Sequence, residues 1–220
     1  MKSIVISPHP DDEVLGPGGT LLKRQKDGHK IAWLIVTNIS TDHGWKKKQV
    51  EKRNKEIKKV SKLFNFSKVF QLNFPSKKLD TIPKYIIIRE ITKVFNSYKP
   101  DEIFVPHKSD VHSDHKIVSG VISTCTKSFR FPFIKRILAY ETISETGYNL
   151  GKSKQFNPNF FEDISIFLQK KIKAMKIYKS EMGKFPFPRS NKAIEAQAKW
   201  RGTFIGSKAA EAFELLKQIS

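Results

Sequence analysis

The sequence holds one cysteine, Cys125, which excludes a disulfide framework and any multi-cysteine zinc or iron–sulfur centre. It holds no apolar run near the roughly 18 residues of a membrane span. The opening MKSIVISPHPDDE has too short an apolar part, and turns acidic too soon, for a secretory signal. These absences predict a soluble, cytoplasmic protein with no transmembrane segment. Acids are scarce: 21 Asp+Glu stand against 41 Lys+Arg, a net charge of +20. Arginine is scarce too, with only seven, so lysine carries the excess. Base reading favours arginine forks and interleaved aromatics, which clusters such as Lys46-Lys47-Lys48, Lys58-Lys59 and Lys170-Lys171 lack. A solvated helix face explains them more simply, and nucleic acid is not expected as the main partner.

What is present suffices for a core. Apolar residues make up 39% of the chain, including 17 Phe, so global disorder is excluded. A length of 220 residues predicts one domain spanning 1–220. Short β-branched runs alternate with amphipathic stretches. Strands are predicted at Ile4–Ser7, Ile31–Thr37, Lys68–Leu72, Glu102–Val105 and Arg136–Tyr140. Helices are predicted at Thr20–Lys26, Lys47–Phe64, Pro83–Tyr98 and Asp114–Thr126, with further helices at Ile164–Tyr178, Ala193–Trp200 and Ala209–Ile219. The alternation implies an α/β, Rossmann-like three-layer fold, with a mainly parallel sheet of about five strands and extra C-terminal helices.

Ligands of open α/β sheets bind beyond the carboxyl ends of the strands. Two polar clusters fall there. Pro8-His9-Pro10-Asp11-Asp12-Glu13 follows the first strand, and His107-Lys108-Ser109-Asp110-Val111-His112-Ser113-Asp114-His115 follows the fourth. Strands one and four are commonly neighbours at the switch point of such a sheet, which would bring both loops to one crevice. Imidazole and carboxylate ligate zinc-like divalent ions, and a catalytic site keeps three protein ligands plus water. A carboxylate outside the ligand set can take the water's proton, and a further imidazole can stabilise an oxyanion. Helix capping by Asp11 to Glu13 explains acids at a helix start. It does not explain a matching His-x-x-His in a distant loop. Gly16, Gly18 and Gly19 lack the G-x-G-x-x-G spacing, and acids occupy the phosphate position, so a dinucleotide site is excluded.

Ser7–Lys23 (SPHPDDEVLGPGGTLLK) together with Asp110–Lys116 (DVHSDHK) resembles the PIG-L/LmbE family of zinc-dependent N-deacetylases. The resemblance extends to Arg53-Asn54-Lys55-Glu56, to Lys173–Ser180, and to GKFPFPRS (183–190), Arg201-Gly202 and Ala210–Phe213, which are similar to a bacterial branch associated with surface-polysaccharide genes. It implies that His9, Asp12 and His115 hold Zn2+, with Fe2+ as the alternative ion. It implies Asp11 as general base, His112 as the group that polarises the acetyl carbonyl, and Asp114 as the orienter of a histidine. Arg53 is then a substrate contact, and Asp110 either accepts a sugar hydroxyl or caps its loop. The implied substrate is a small N-acetyl amino-sugar conjugate, to which a phosphate or nucleotide link would suit the basic surface. Thr37-Asn38-Ile39-Ser40 lacks the acidic Asp-Gly pair that many members carry, which bears on the substrate side of the pocket. Phe185 and Phe187, beside Arg189, are a candidate substrate platform.

Two other classes compete. A basic module binding nucleic acid or an anionic membrane would keep its salt-dependent binding without His9 and His115. A 2-His-1-carboxylate iron oxygenase fits the ligand types, but those sites usually sit on all-β double sheets. The sequence leaves oligomeric state open.

Overall fold

Alternate residues of the central strands face opposite ways, and each side has its own core. In the computed structural model, which describes residues 1–151 and 155–220, β1 (Lys2–Ser7) sends Val5 to one side and Ile4 and Ile6 to the other. β2 (Lys30–Asn38) repeats the pattern, with Trp33 and Ile35 against Ala32, Leu34 and Val36. The Val5 side is covered by α1 (Asp12–Leu15), α2 (Gly18–Lys26), α3 (Lys47–Phe64), α6 (Leu168–Met175) and α7 (Asn191–Thr203). The Ile4 side is covered by α4 (Lys84–Tyr98) and α5 (Ser113–Cys125). Cys125 lies in that second core, and burial pushes its thiol up to about 11, as expected of an inert cysteine.

Among the described residues the sheet has seven strands, in the order β3 (Lys68–Pro75), β2, β1, β4 (Glu102–Pro106), β5 (Arg136–Tyr140), β7 (Ala210–Gln218), β6 (Phe160–Asp163). β3, β2, β1, β4 and β5 are mutually parallel. These are the five predicted strands, and β1 and β4 are neighbours as the switch-point argument requires. Two strands are additional. β7 runs antiparallel to both β5 and β6. The helix predicted over Ala209–Ile219 is therefore a strand. Its residues AEAFELLKQ favour helix locally, but the open edge of β5 supplies a ladder, and burial of Ala210, Ala212 and Phe213 overrides the propensity. The helix predicted over Ile164–Tyr178 is confined to α6.

Glu211 of β7 closes a second debt of the fold. Both its oxygens accept backbone N–H bonds at the start of α2, from Gly19 and Thr20 at 2.7 Å each. Its Oε1 also takes the buried Lys171 Nζ at 2.6 Å. Pro17, which precedes α2, offers no side-chain cap, so the strand supplies one from far along the chain.

Candidate active site

Trp33 Nε1 donates to Ser7 Oγ at 2.9 Å, and Thr37 donates to the Pro8 carbonyl through its amide (3.0 Å) and its hydroxyl (2.7 Å). These bonds tie the loop after β1 to β2. The chain then turns at Asp11, whose φ is 133°, a region that non-glycine residues seldom occupy. The Asp11 carbonyl accepts from the amides of Val14 and Leu15. Its side chain makes no capping bond and is left for the pocket. Capping therefore does not account for Asp11.

His9, Asp12 and His115 converge. His115 Nε2 is 3.3 Å from His9 Nδ1 and 3.4 Å from Asp12 Oδ2, and His9 Nδ1 is 3.7 Å from the same oxygen. Ligands at 2.0–2.1 Å around a tetrahedral ion stand about 3.3–3.4 Å apart, so the spacing fits such an ion. The far nitrogen of each histidine is held by a carboxylate: His9 Nε2 by Asp114 Oδ2 at 2.9 Å, and His115 Nδ1 by Asp110 Oδ2 at 2.8 Å. Carboxylate support of that kind fixes the ring and its tautomer in metal sites. A second grouping, His9, His112 and Asp114, also comes within ligand range. It is the poorer fit, because Asp114 already accepts from the amides of Lys77 (2.7 Å) and Leu79 (3.1 Å) and from His9.

The electrostatics agree. Burial works against a charged His115, yet Asp12 and Asp110 outweigh it and hold the ring's affinity for a proton well above the ordinary value. Burial likewise raises the Asp12 carboxyl, but His115 and His9 overcome it and keep Asp12 below its usual range. The cluster is built to surround positive charge. Asp11 behaves oppositely: burial first, then the charges of Asp12 and Glu181, push its carboxyl well up, with Arg189 opposing. A raised carboxyl is better matched to accepting and returning a proton near neutral pH. His112 precedes α5, and its Nδ1 accepts the Asp114 amide at 3.1 Å. Burial, with the charges of His9 and His115, lowers the ring to about 4. His112 is therefore neutral at pH 7 with its proton on Nε2, a hydrogen-bond donor on the pocket wall.

The pocket has a volume of about 350 Å³, within the range of small-molecule sites. Asp11, Asp12, His9, His112, His115 and Arg53 all line it, as the sequence leads one to expect. Asp110 does not. It is fully buried behind His115, with one oxygen on His115 Nδ1 and the other on Thr146, contacts that fit the loop-holding alternative rather than the sugar contact. Arg53 faces the pocket with its donors engaged: Nη1 on the Pro10 carbonyl at 2.8 Å, Nη2 on Glu181 and Nε beside Glu56. Phe185 and Phe187 are not on the wall. Phe187 lies under the Arg189 guanidinium, and Arg189 itself lines the pocket. Glu181, Glu145, Thr142 and Trp45 also line it and were not singled out as site residues from the sequence. They come from loops without a motif, and only the GKFPFPRS irregularity just after Glu181 hinted at that wall. His107 is buried and paired with Glu214 at 3.0 Å, and His43 is exposed.

Fold and site together define an α/β protein with a two-histidine, one-carboxylate cluster at the ends of parallel strands that could hold a metal ion. Residues 4–126, more than half of the chain, match the model of the PIG-L family, described as GlcNAc-PI de-N-acetylase, and the chain belongs to that family. It is 24% identical over 231 residues to diacetylchitobiose deacetylase of Thermococcus kodakarensis, covering 99% of this chain and 84% of that protein. Its fold is similar to N,N′-diacetylchitobiose deacetylase from Pyrococcus horikoshii, with a TM-score of 0.77 at 20% identity over 98% of this chain and 84% of that one. It is also similar to GalB, the 4-carboxy-2-hydroxymuconate hydratase from Pseudomonas putida KT2440, with a TM-score of 0.74 at 14% identity over 100% and 98%. No described helix is long and apolar enough to cross a membrane.

Proposed function

We propose that the protein is a metal-dependent N-deacetylase that hydrolyses the acetamide of a small amino-sugar conjugate to acetate and a free amine. The observation that carries this reading is the spacing of His9, Asp12 and His115 beside an unligated, buried Asp11 in one pocket. The three residues would hold Zn2+ or Fe2+, which both suit two imidazoles and a carboxylate, and the ion would supply Lewis acidity toward water and the acetamide carbonyl. Asp11 takes a proton from the water as its oxygen bonds to the carbonyl carbon. His112 Nε2–H donates to the carbonyl oxygen as negative charge gathers there. Asp11 then returns the proton to nitrogen as the C–N bond breaks. Asp114 and Asp110 keep His9 and His115 in the tautomers that face the ion.

Membership of a de-N-acetylase family supports this reading, as does the likeness to diacetylchitobiose deacetylase. The hydratase fold marks the competing one, since addition of water to a double bond releases no amine. Acetate and free amine, assayed together on N-acetylglucosaminyl conjugates, separate the two. One acetate per amine is expected, with about one ion per chain in wild type and none in His115→Ala. Water addition without amine release would overturn the proposal, as would turnover that survives loss of the ion.

A further inference from the structure

Among the arginines, Arg189 is unlike those that hold the fold. Arg24, Arg53, Arg136 and Arg201 each donate at least two hydrogen bonds to protein oxygens. Arg189 lines the pocket, and its carboxylate neighbours stand only at 3.5 Å (Glu181 Oε2) and 3.8 Å (Asp11 Oδ2). Its Nε is buried without a partner among the described residues. Phe187 lies under the guanidinium, 5.5 Å from it, and the side chain remains 24% exposed, open enough for a ligand to reach the terminal nitrogens. Buried donors are normally satisfied; here Nε has no acceptor among the described residues, and the terminal nitrogens face carboxylates only at ion-pair distance, which leaves room for a closer acceptor.

The charges around Arg189 are of both signs, and most of the acids are engaged elsewhere. Glu181 is shared with Arg53, which already engages its Oε1. Lys77, exposed on the opposite loop, also lines the pocket, and its Nζ has no partner among the described residues. The acids on the wall are Asp11, Asp12, Glu145 and Glu181. Asp12 is turned to the cation site, and burial raises the Glu145 carboxyl. A planar fork is the group best suited to an anion that offers two oxygens.

We propose that Arg189 is a specificity-determining residue that binds an anionic group of the substrate, a phosphate or a carboxylate, attached close to the acetamide. This rests on the deacetylase reading for the position of the acetamide. Arg189 stands beside Asp11, so an anion in its grip belongs on a carbon next to the one bearing nitrogen, rather than across the sugar ring.

The test compares N-acetylglucosamine 1-phosphate, N-acetylmuramic acid (a carboxylate on the 3-position ether) and neutral methyl N-acetylglucosaminide as substrates for wild type, Arg189→Gln and Arg189→Lys. Wild type should prefer one or both anions. Arg189→Gln should lose about 10- to 100-fold more in kcat/KM on the preferred anion than on the neutral substrate, whose smaller loss reports the removal of Arg189 from beside Asp11. Arg189→Lys should recover only part of that loss, since it keeps the charge without the fork. A loss confined to the phosphate or to the carboxylate identifies the source. Equal losses on neutral and anionic substrates would overturn the proposal, as would a wild type with no anion preference. Calorimetric binding of glucosamine 1-phosphate and methyl glucosaminide, which cannot turn over, supplies an independent readout. Phosphate-selective binding lost in Arg189→Gln, with no acetate released from any acetamide, would sink the deacetylase reading and leave the anion site standing.

Discussion

Just after β1, three consecutive residues, Asp11 to Glu13, have divergent tasks because their surroundings differ by a few ångströms. Asp12 is stabilised as an anion by His115, while Asp11 is pressed toward neutrality by burial and by Asp12 itself. Asp11→Asn should cut kcat by about 10²- to 10⁴-fold while leaving one ion per chain, a pairing read by acetate release and elemental analysis. Asp110→Asn and Asp114→Asn should behave in the reverse sense, with metal affinity falling about 10- to 100-fold in a competition titration against a chelator. Glu13 is a third case. Burial raises its carboxyl to about 8, with Tyr178 and the Asp11 amide as its hydrogen-bond partners. A folded-state value above the unfolded one gives stability that is complete below about pH 4.5 and is lost as pH climbs toward 8. The melting temperature of Glu13→Gln should therefore gain on wild type between pH 5 and pH 8, because glutamine keeps both bonds and has no proton to lose.

At the level of elements, the parallel half of the sheet was readable because each strand is a short β-branched run between turn signals, and each crossover helix has an apolar face. The metal loops were readable for a similar reason: histidine and aspartate rarely crowd the ends of two apolar strands without a shared task. β7 was not readable, since its helix-forming composition is overruled by partners on both sides that no local pattern announces. Glu181 escaped because it reaches the site from an irregular loop, Arg189 was legible only as the neighbour of Phe185 and Phe187, and the bond from Asp110 to His115 is visible only in three dimensions. The tie between β7 and α2 can be measured. Glu211→Ala removes the acceptor of two helix amides and leaves Lys171 buried without its anion, which should cost on the order of 3 kcal/mol in denaturant unfolding. Gly202→Ala tests the turn before β7 in the same assay. A Cβ there would stand 2.5 Å from the Ser207 carbonyl and 2.9 Å from the Ala209 nitrogen, and backbone atoms cannot yield cheaply, so it too should destabilise.

Across the whole molecule, the proposed cation site joins the segments after β1 and β4, so an ion bound there would act as a clasp on the sheet's centre. Ligand at about 100 times its Kd stabilises the folded state by about 2.7 kcal/mol, or roughly 5–10 °C in a chain this size. Chelation should lower the melting temperature of wild type by that amount and leave His115→Ala unmoved.

The insertion of β7 between β5 and β6 also sets an order on synthesis. A nascent chain presents His9, Asp12 and His115 once residue 115 has left the ribosome, and can assemble β1 to β5 as they emerge. β6, whose pairing in the sheet is with β7, must wait with its edge bare until residue 218 has left the ribosome. Translation that stalls before β7 would thus leave a half-sheet with an unsealed flank, a template for pairing with another chain.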